Sequence, residues 1–332
     1  MSSSIRQTIR RAFVSVIALA ALVGAPAARA DDAAAIPQGQ MKIVVPYAPG
    51  GGTDILARAL AQQLGEVLHR TVIVENRTGA NGTIGAAYVA KAPPAGLTLL
   101  LVPAGYAANP SMYKSLPYDQ AKELAPVSIL ASGPLVLVVH PSLPARSVKE
   151  LIALAKSKPG ELNVGNAGIG SLPHLSAELF NVSAKVKLVS VAYKGAGPAL
   201  TDVLGGRVPV YFMNILQSLP LIKEGRLRAL GVTSPQPSPI APDIPPIANE
   251  VPGFDMTNWY GMLVPAGTPS ATVHAVSRAL ATVLNQPDIK QRMYNEGMSV
   301  VASTPERFSA FLDEETAKYA RIIEAAGIKN SL

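Results

Sequence analysis

The 332-residue chain has no cysteine, one tryptophan and four histidines, and only 15% of its residues are charged. Without cysteine there is no disulfide framework, no thiolate nucleophile and no thiol to carry a lipid anchor. His69, His140, His174 and His274 stand at no metal-ligand spacing with acidic residues, so neither a metal nor another cofactor is expected. Basic residues are scattered rather than clustered. Four arginines ahead of residue 31 account for four of the seven net positive charges, which leaves the remainder near +3. That is too mild for nucleic-acid binding.

What is present begins with an export signal. Arg6, Arg10 and Arg11 precede an apolar stretch over 12–23, and Ala28-Arg29-Ala30 supplies a small-x-small cleavage site. This is the pattern of a secretory signal peptide over 1–30, too short and wrongly flanked to span a membrane. Arg10-Arg11 with Phe13 hints at a twin-arginine signal, but no lysine follows and the ordinary Sec route is favoured. A start near Asp31 leaves about 300 residues, enough for two domains with their own cores. Such a chain reads as a freely diffusing periplasmic monomer of a Gram-negative bacterium.

Strand-like and helix-like segments alternate, which predicts an α/β architecture with mostly parallel strands. "KIVVPYA", "TVIVEN", "LTLLLVPA", "LVLVVHP" (135–141), "ELNVGNA", "KLVSVAY", "VPVYFMN" and "LRALGVT" read as strands. Helices are expected over 53–68, 148–157, 172–180 and 199–204. The proline-rich stretch 233–254 excludes a long helix or central strand and reads as an ordered surface excursion or a crossing between domains, with a disordered linker as the alternative. Near the C-terminus Thr304 is the expected N-cap and Pro305 the first helical residue. Phe308, Phe311, Leu312, Tyr319, Ile322 and Ile323 form one packing stripe that ends at Gly327.

Three strand–glycine–helix units recur: "VPYAPGGGTDILARAL", "NVGNAGIGSLPHLSAELF" and "VAYKGAGPALTDVLGG". The first has no Gly-Lys-Ser/Thr and lacks the third glycine of a dinucleotide fingerprint. Two readings of Gly50-Gly51-Gly52 stand side by side. The glycines permit a tight turn into a capped helix, or they bare main-chain amides that suit a carboxylate. Magnitude bears on the choice. One helix end contributes roughly 0.3–1 kcal/mol, up to about 2 when partly buried, whereas micromolar binding takes about 8 kcal/mol. Several loops must therefore converge on one ligand, at about 1.5–3 kcal/mol per charge-assisted bond.

Enzymatic readings are weaker. Ser171 and His174 lie three apart at a helix start, but no G-x-S-x-G elbow is present and Ser171 reads as an N-cap. Asp54 and Asp202 are lone carboxylates near helix ends, structural or able to accept from a ligand hydroxyl or amine. Trp259 and Tyr260 read as core, with a lid or hinge pair as the alternative.

"VPYAPGGGTDILAR", "VIVENRTGANGTIGAAYVA", "AANPSMYKSLPYD", "VAYKGAGPALTDVLGGRV" and "WYGMLVPAGTP" together resemble the Bug family, the extracytoplasmic solute-binding receptors of tripartite tricarboxylate transporters. The likeness runs in order over nearly the whole chain after residue 30. It implies an α/β, two-lobed, type II-like periplasmic binding protein, with two mostly parallel-sheet domains joined by hinge crossings near 127–135 and 255–264. The lobes would be 31–131 plus 256–332, and 132–255. It further implies a small carboxylate held in the cleft by amides, hydroxyls and waters, and delivered to a membrane permease. Carried over, the likeness puts Tyr47, Pro49, Gly50, Gly51, Gly52, Thr53 and Asp54 on the first-lobe side, with Ala80, Asn81, Ala104 and Gly105. From the second lobe come Gly168, Ser171, His174, Tyr193, Lys194 and Gly195, with Asp202 behind and Asn214 near the rim. Thr78 and Asn81 depart from the family's usual Pro and Gly, Ala95 stands where Asp is common, and "FMNIL" lacks an acidic residue. Two other functions are weighed: a receptor that presents a metabolite to a membrane sensor kinase, and a hydrolase using Ser171, His174 and Asp202.

Overall fold

The computed structural model describes residues 35–50 and 52–332. The expected signal segment and Gly51 lie outside the described residues.

Among the described residues ten strands form in chain order: β1 (Met41–Val45), β2 (Val72–Asn76), β3 (Thr98–Pro103), β4 (Leu124–Val139), β5 (Asn163–Asn166), β6 (Val189–Ala192), β7 (Val210–Asn214), β8 (Arg228–Val232), β9 (Thr257–Pro265) and β10 (Ser299–Val300). They are ordered β2-β1-β3-β9-β4-β7-β5-β6, with β10 and β8 also pairing β4. The sets β2-β1-β3 and β7-β5-β6 are parallel. The strands between them, β9 and β4, run antiparallel to their neighbours. Each parallel set is the centre of one lobe.

The sequence reading found only the last residues of β4. Its first part, Leu124 to Pro134, contains two prolines and no apolar alternation, yet it pairs β9 as far as Pro134↔Thr257. From Leu135 onward the same strand pairs β7 and β8. One 16-residue strand thus belongs to both sheets. The change of partner falls between Pro134 and Leu135, next to Gly133, where a side-chain carbon would collide with the Gly297 carbonyl oxygen.

The helices are α1 (Gly52–Leu68), α2 (Thr83–Ala90), the short α3 (Asn109–Met112), α4 (Val148–Ser157), α5 (Leu172–Ala184), α6 (Ala196–Leu204), α7 (Ile215–Lys223), α8 (Ser270–Leu284), α9 (Pro287–Asn295) and α10 (Pro305–Ala325). Two run longer than expected. Helix α6 begins at Ala196, because Pro198 lies in its first turn, where a missing N–H costs nothing. Helix α5 continues to Ala184 because Asn181 bonds both the N–H and the carbonyl of Leu188. The caps read from the sequence, Ser171 and Thr304, are present, and Ser147 caps α4 in the same way; each accepts from an amide three residues on.

Leu56, Leu60 and Leu64 of α1 cover one face of the first sheet against Ile43, Leu99 and Leu101. One continuous core joins the lobes: Trp259 and Phe308 from the first belong to the same buried cluster as Phe180, Phe212 and Phe254 from the second. Trp259 is fully buried, edge-on to Phe308 and Phe311, and donates its indole N–H to Glu315. That is the packing role expected for it. The proline-rich stretch is an ordered excursion, pinned by Val232 N–H to Pro245 and by the buried Ile247, Val251 and Phe254.

Candidate functional site

Loops leave the carboxyl ends of the parallel strands in each set, and those after β2, β3 and β5 approach one another at the gap between the lobes. In open α/β sheets this is where ligands bind. From the first lobe come the β1–α1 loop, the β2–α2 turn at Ala80–Gly82 and the β3–α3 turn at Ala104–Ala108. From the second come the β5–α5 loop, the β6–α6 loop at Tyr193 to Gly195, and the β7–α7 junction at Asn214. The two sets meet. The Gly170 carbonyl lies 3.6 Å from where a side-chain carbon of Gly105 would stand, and Asn81 Nδ2 lies 3.7 Å from the same point on Gly170.

The β1–α1 loop is held from behind by a charged clamp. Asp54 is 2% exposed. Its carboxylate accepts from Arg58 (3.0 and 3.1 Å), from Asn76 Nδ2 (2.9 Å) and from the Gly50 amide (2.9 Å). Arg58 first, then the Gly50 amide and Asn76, hold its carboxyl down to about 2 against the cost of burial. Asn76 Nδ2 also donates to the Tyr47 carbonyl. Asp54 therefore shapes the loop. Pro49 and Gly50 are exposed, and Thr53 bonds the hydroxyl of Tyr260, which burial pushes up to about 12. The half-buried Tyr47 has its hydroxyl beside Gly82. Burial raises its pKa well above the phenol range.

The neighbouring turns are mixed. Ala80 is exposed; Asn81, at φ 49°, donates to Asn109 Oδ1 at 3.2 Å. Gly105 faces the gap, whereas Ala104 is buried in the core.

In the second lobe the β5–α5 loop is held by neutral groups. Gly168 N–H donates to Asn166 Oδ1 (2.9 Å), and Gly170 N–H to His174 Nδ1 (3.2 Å). His174 is 5% exposed, and burial lowers its pKa while Glu178 acts in the opposite sense. The Ser171 hydroxyl oxygen accepts from the His174 main-chain amide, not from its ring. In the β6–α6 loop Tyr193 donates to Asp202 at 2.7 Å, and Arg207 to the other oxygen at 2.8 Å. Tyr193, then Arg207, hold that carboxyl below its ordinary value. Lys194 is exposed, and nothing crowds the open side of Gly195.

These partners decide what the arrangement can do. Ser171, His174 and Asp202 are each bonded elsewhere, so they form no nucleophile–base–acid relay. Asn214 is spent: its Oδ1 caps α7 through Leu216 and Gln217, and its Nδ2 donates to the Glu296 carbonyl of the first lobe at 2.8 Å. The donors that remain on these loops are the α1 and α6 helix-start amides, the Ser171 hydroxyl hydrogen, the second amide hydrogen of Asn81, and Lys194. Among the described residues no cluster of three or more His, Cys, Asp or Glu could hold a metal, and no helix is long and apolar enough to cross a membrane. Sequence reasoning missed Arg58, Asn76, Asn166 and Glu296. Arg58 had a signal, the i,i+4 spacing from Asp54 on one helix. The other three are brought in by long-range pairing and carried none.

With this geometry in place, comparison with known proteins is decisive. Residues 56–328 match the family described as "Tripartite tricarboxylate transporter family receptor". The chain belongs to this receptor family. Among its relatives, the protein BugT of Bordetella pertussis is 35% identical over 296 residues, spanning 88% of this chain and 91% of that one. A solved R. palustris protein with adipate superposes at a TM-score of 0.75, with 35% identity over 88% of this chain and 99% of the other. MatC from Rhodopseudomonas palustris, with bound malate, gives 0.72 and 31% identity over 86% and 98%. The receptor shares the two-lobed α/β architecture of these binding proteins.

Proposed function

We propose that this receptor captures a small carboxylate in the gap between its lobes, in the periplasm, and delivers it to the membrane permease of a tripartite transporter. The observation that carries the reading is the convergence of β–α loops from both parallel sets on one gap, closest at Gly105 and Gly170. Two helix starts and the Ser171 hydroxyl there supply donors that suit an anion, while the Glu296 carboxylate stands beside Gly52 at the α1 start. Related structures with adipate and malate point the same way. Residues 1–30 would direct export. The lobes would divide as 31–131 plus 256–332, and 132–255, in a monomer that closes about the β4 and β9 crossings.

The test is a thermal-shift panel of mono-, di- and tricarboxylates beside sugars and amines. At one hundred times its dissociation constant a true ligand stabilises the protein by about 2.7 kcal/mol, which such a scan resolves. A C4 to C6 dicarboxylate is expected to shift the melting temperature, and Ser171→Ala to reduce the shift. Stabilisation by sugars or amines alone would overturn the reading.

A further inference from the structure

His174 touches the gap only through another residue. Its Nδ1 accepts from the Gly170 amide, so the ring proton sits on Nε2, directed toward Glu178 Oε1 at 3.8 Å. Glu178 in turn accepts from the Ser190 hydroxyl at 2.6 Å and from Asn181. Gly170 holds φ +78°, and its carbonyl is the second-lobe atom that faces Gly105 across the gap. The Ile169–Gly170 peptide, the one just before that carbonyl, is thus anchored by a hydrogen bond to an imidazole lone pair.

We propose that His174 is the positioning residue of the second-lobe loop: its neutral ring fixes the Gly170 peptide, and protonation of the ring releases that peptide and weakens ligand capture. The inference rests on the gap being the carboxylate site. Protonation places a hydrogen on Nδ1, where it confronts the Gly170 N–H donor to donor, and the buried amide loses its acceptor. The loop must then move. The Ser171 hydroxyl makes only a long 3.4 Å bond to the His174 amide, and what else spans the turn is the Ser171 N–H to the Gly168 carbonyl at 3.1 Å.

Few charges compete for control of the ring. Strands β5, β6 and β7, against which α5 packs, carry no charged residue. Helix α10 keeps its buried charges, Glu315 and Lys318, paired with one another, and its other charged side chains are exposed. Glu178 alone acts on the imidazole, and burial outweighs it. The folded value therefore lies below the ordinary 6.5. Protons bind the unfolded or loosened chain more tightly than the closed-up loop. Loop order is complete above the ordinary value and is lost as the pH falls through the depressed one.

The test compares the full chain with His174→Asn, whose Oδ1 can take the place of Nδ1 as acceptor but does not titrate. In the ligand-free wild type, the exchange protection of the Gly170 amide, followed by NMR, is expected to fall about tenfold on acidification from about pH 7.5 to about pH 5. In His174→Asn it should stay level. Adipate is the binding probe, and its own titration cancels in the ratio of wild-type to variant affinity. That ratio should fall with the same midpoint as the amide protection. Identical Gly170 protection in both proteins at every pH would overturn the proposal, as would an affinity ratio indifferent to pH while the amide responds. Should adipate bind neither protein, the reading of the gap fails for that acid, and the Gly170 amide still decides the role of His174.

Discussion

The two lobes build the same strand–glycine–helix plan and anchor it with opposite chemistry. In the first lobe the anchor is an ionised carboxylate, Asp54, gripped by Arg58, Asn76 and the Gly50 amide. In the second it is neutral: an amide side chain, Asn166, and an imidazole, His174. A carboxylate held near 2 keeps its charge at any physiological pH. An imidazole does not. One wall of the gap is therefore indifferent to acid and the other is not. The β6–α6 loop lies between these extremes, tied by Tyr193 and Arg207 to the half-exposed Asp202.

The sharpest way to break this contrast is to remove the charged anchor. Asp54→Ala strips the acceptor from a guanidinium, an amide side chain and a main-chain amide at once. It should cost about 2–3 kcal/mol in urea denaturation, and more than tenfold in affinity for the identified carboxylate. An unchanged denaturation midpoint would mean that the clamp carries no load. A finer cut is Asp54→Asn. The wild-type carboxyl is depressed, so its stabilising effect is complete above its ordinary 3.8 and fades only as the pH falls toward about 2. Asp54→Asn should therefore lower affinity at every pH yet leave the slope between about pH 5 and about pH 7 as in the wild type. A changed slope would place the acid response in the first lobe. The smallest effect is expected at Arg207→Ala. Arg207 is exposed, as is much of Asp202, and water replaces such a partner readily, so affinity should change by less than about threefold.

Much of the architecture was legible because it is written locally. Periodicity marked the parallel strands, and side-chain oxygens at Ser171 and Thr304 marked helix starts. The apolar stripe from Phe308 to Ile323 announced the face α10 buries. What was not legible depends on distant partners. The first part of β4, "LAPVSILASGP", has neither alternation nor a clean apolar run; it is a strand because β9, over a hundred residues away, supplies its hydrogen bonds. The candidate site divides in the same way. Its loops could be read from glycine, a Ser or Thr hydroxyl and a helix pattern. Whether a given side chain faces the gap or is used elsewhere could not. Asp54, Asp202 and Asn214 look alike in sequence as polar groups beside a glycine loop or strand end, yet each is spent on internal partners, of which Asn76 and Glu296 come within reach only on folding.

The passage of β4 through both sheets bears on how such a protein can be altered. Where two modules are tied by a flexible tether, either can be exchanged or lengthened at the seam. Here the seam is itself a ladder of paired residues, with Gly297 pressed against Gly133 just before the exchange point. An inserted residue there would turn every following side chain to the opposite face and put Leu135, Leu137 and Val139 on the wrong side of their sheet. Variation in what the molecule holds is thus channelled into the loops, because a residue added at the crossing itself would reverse the faces of the strand that follows.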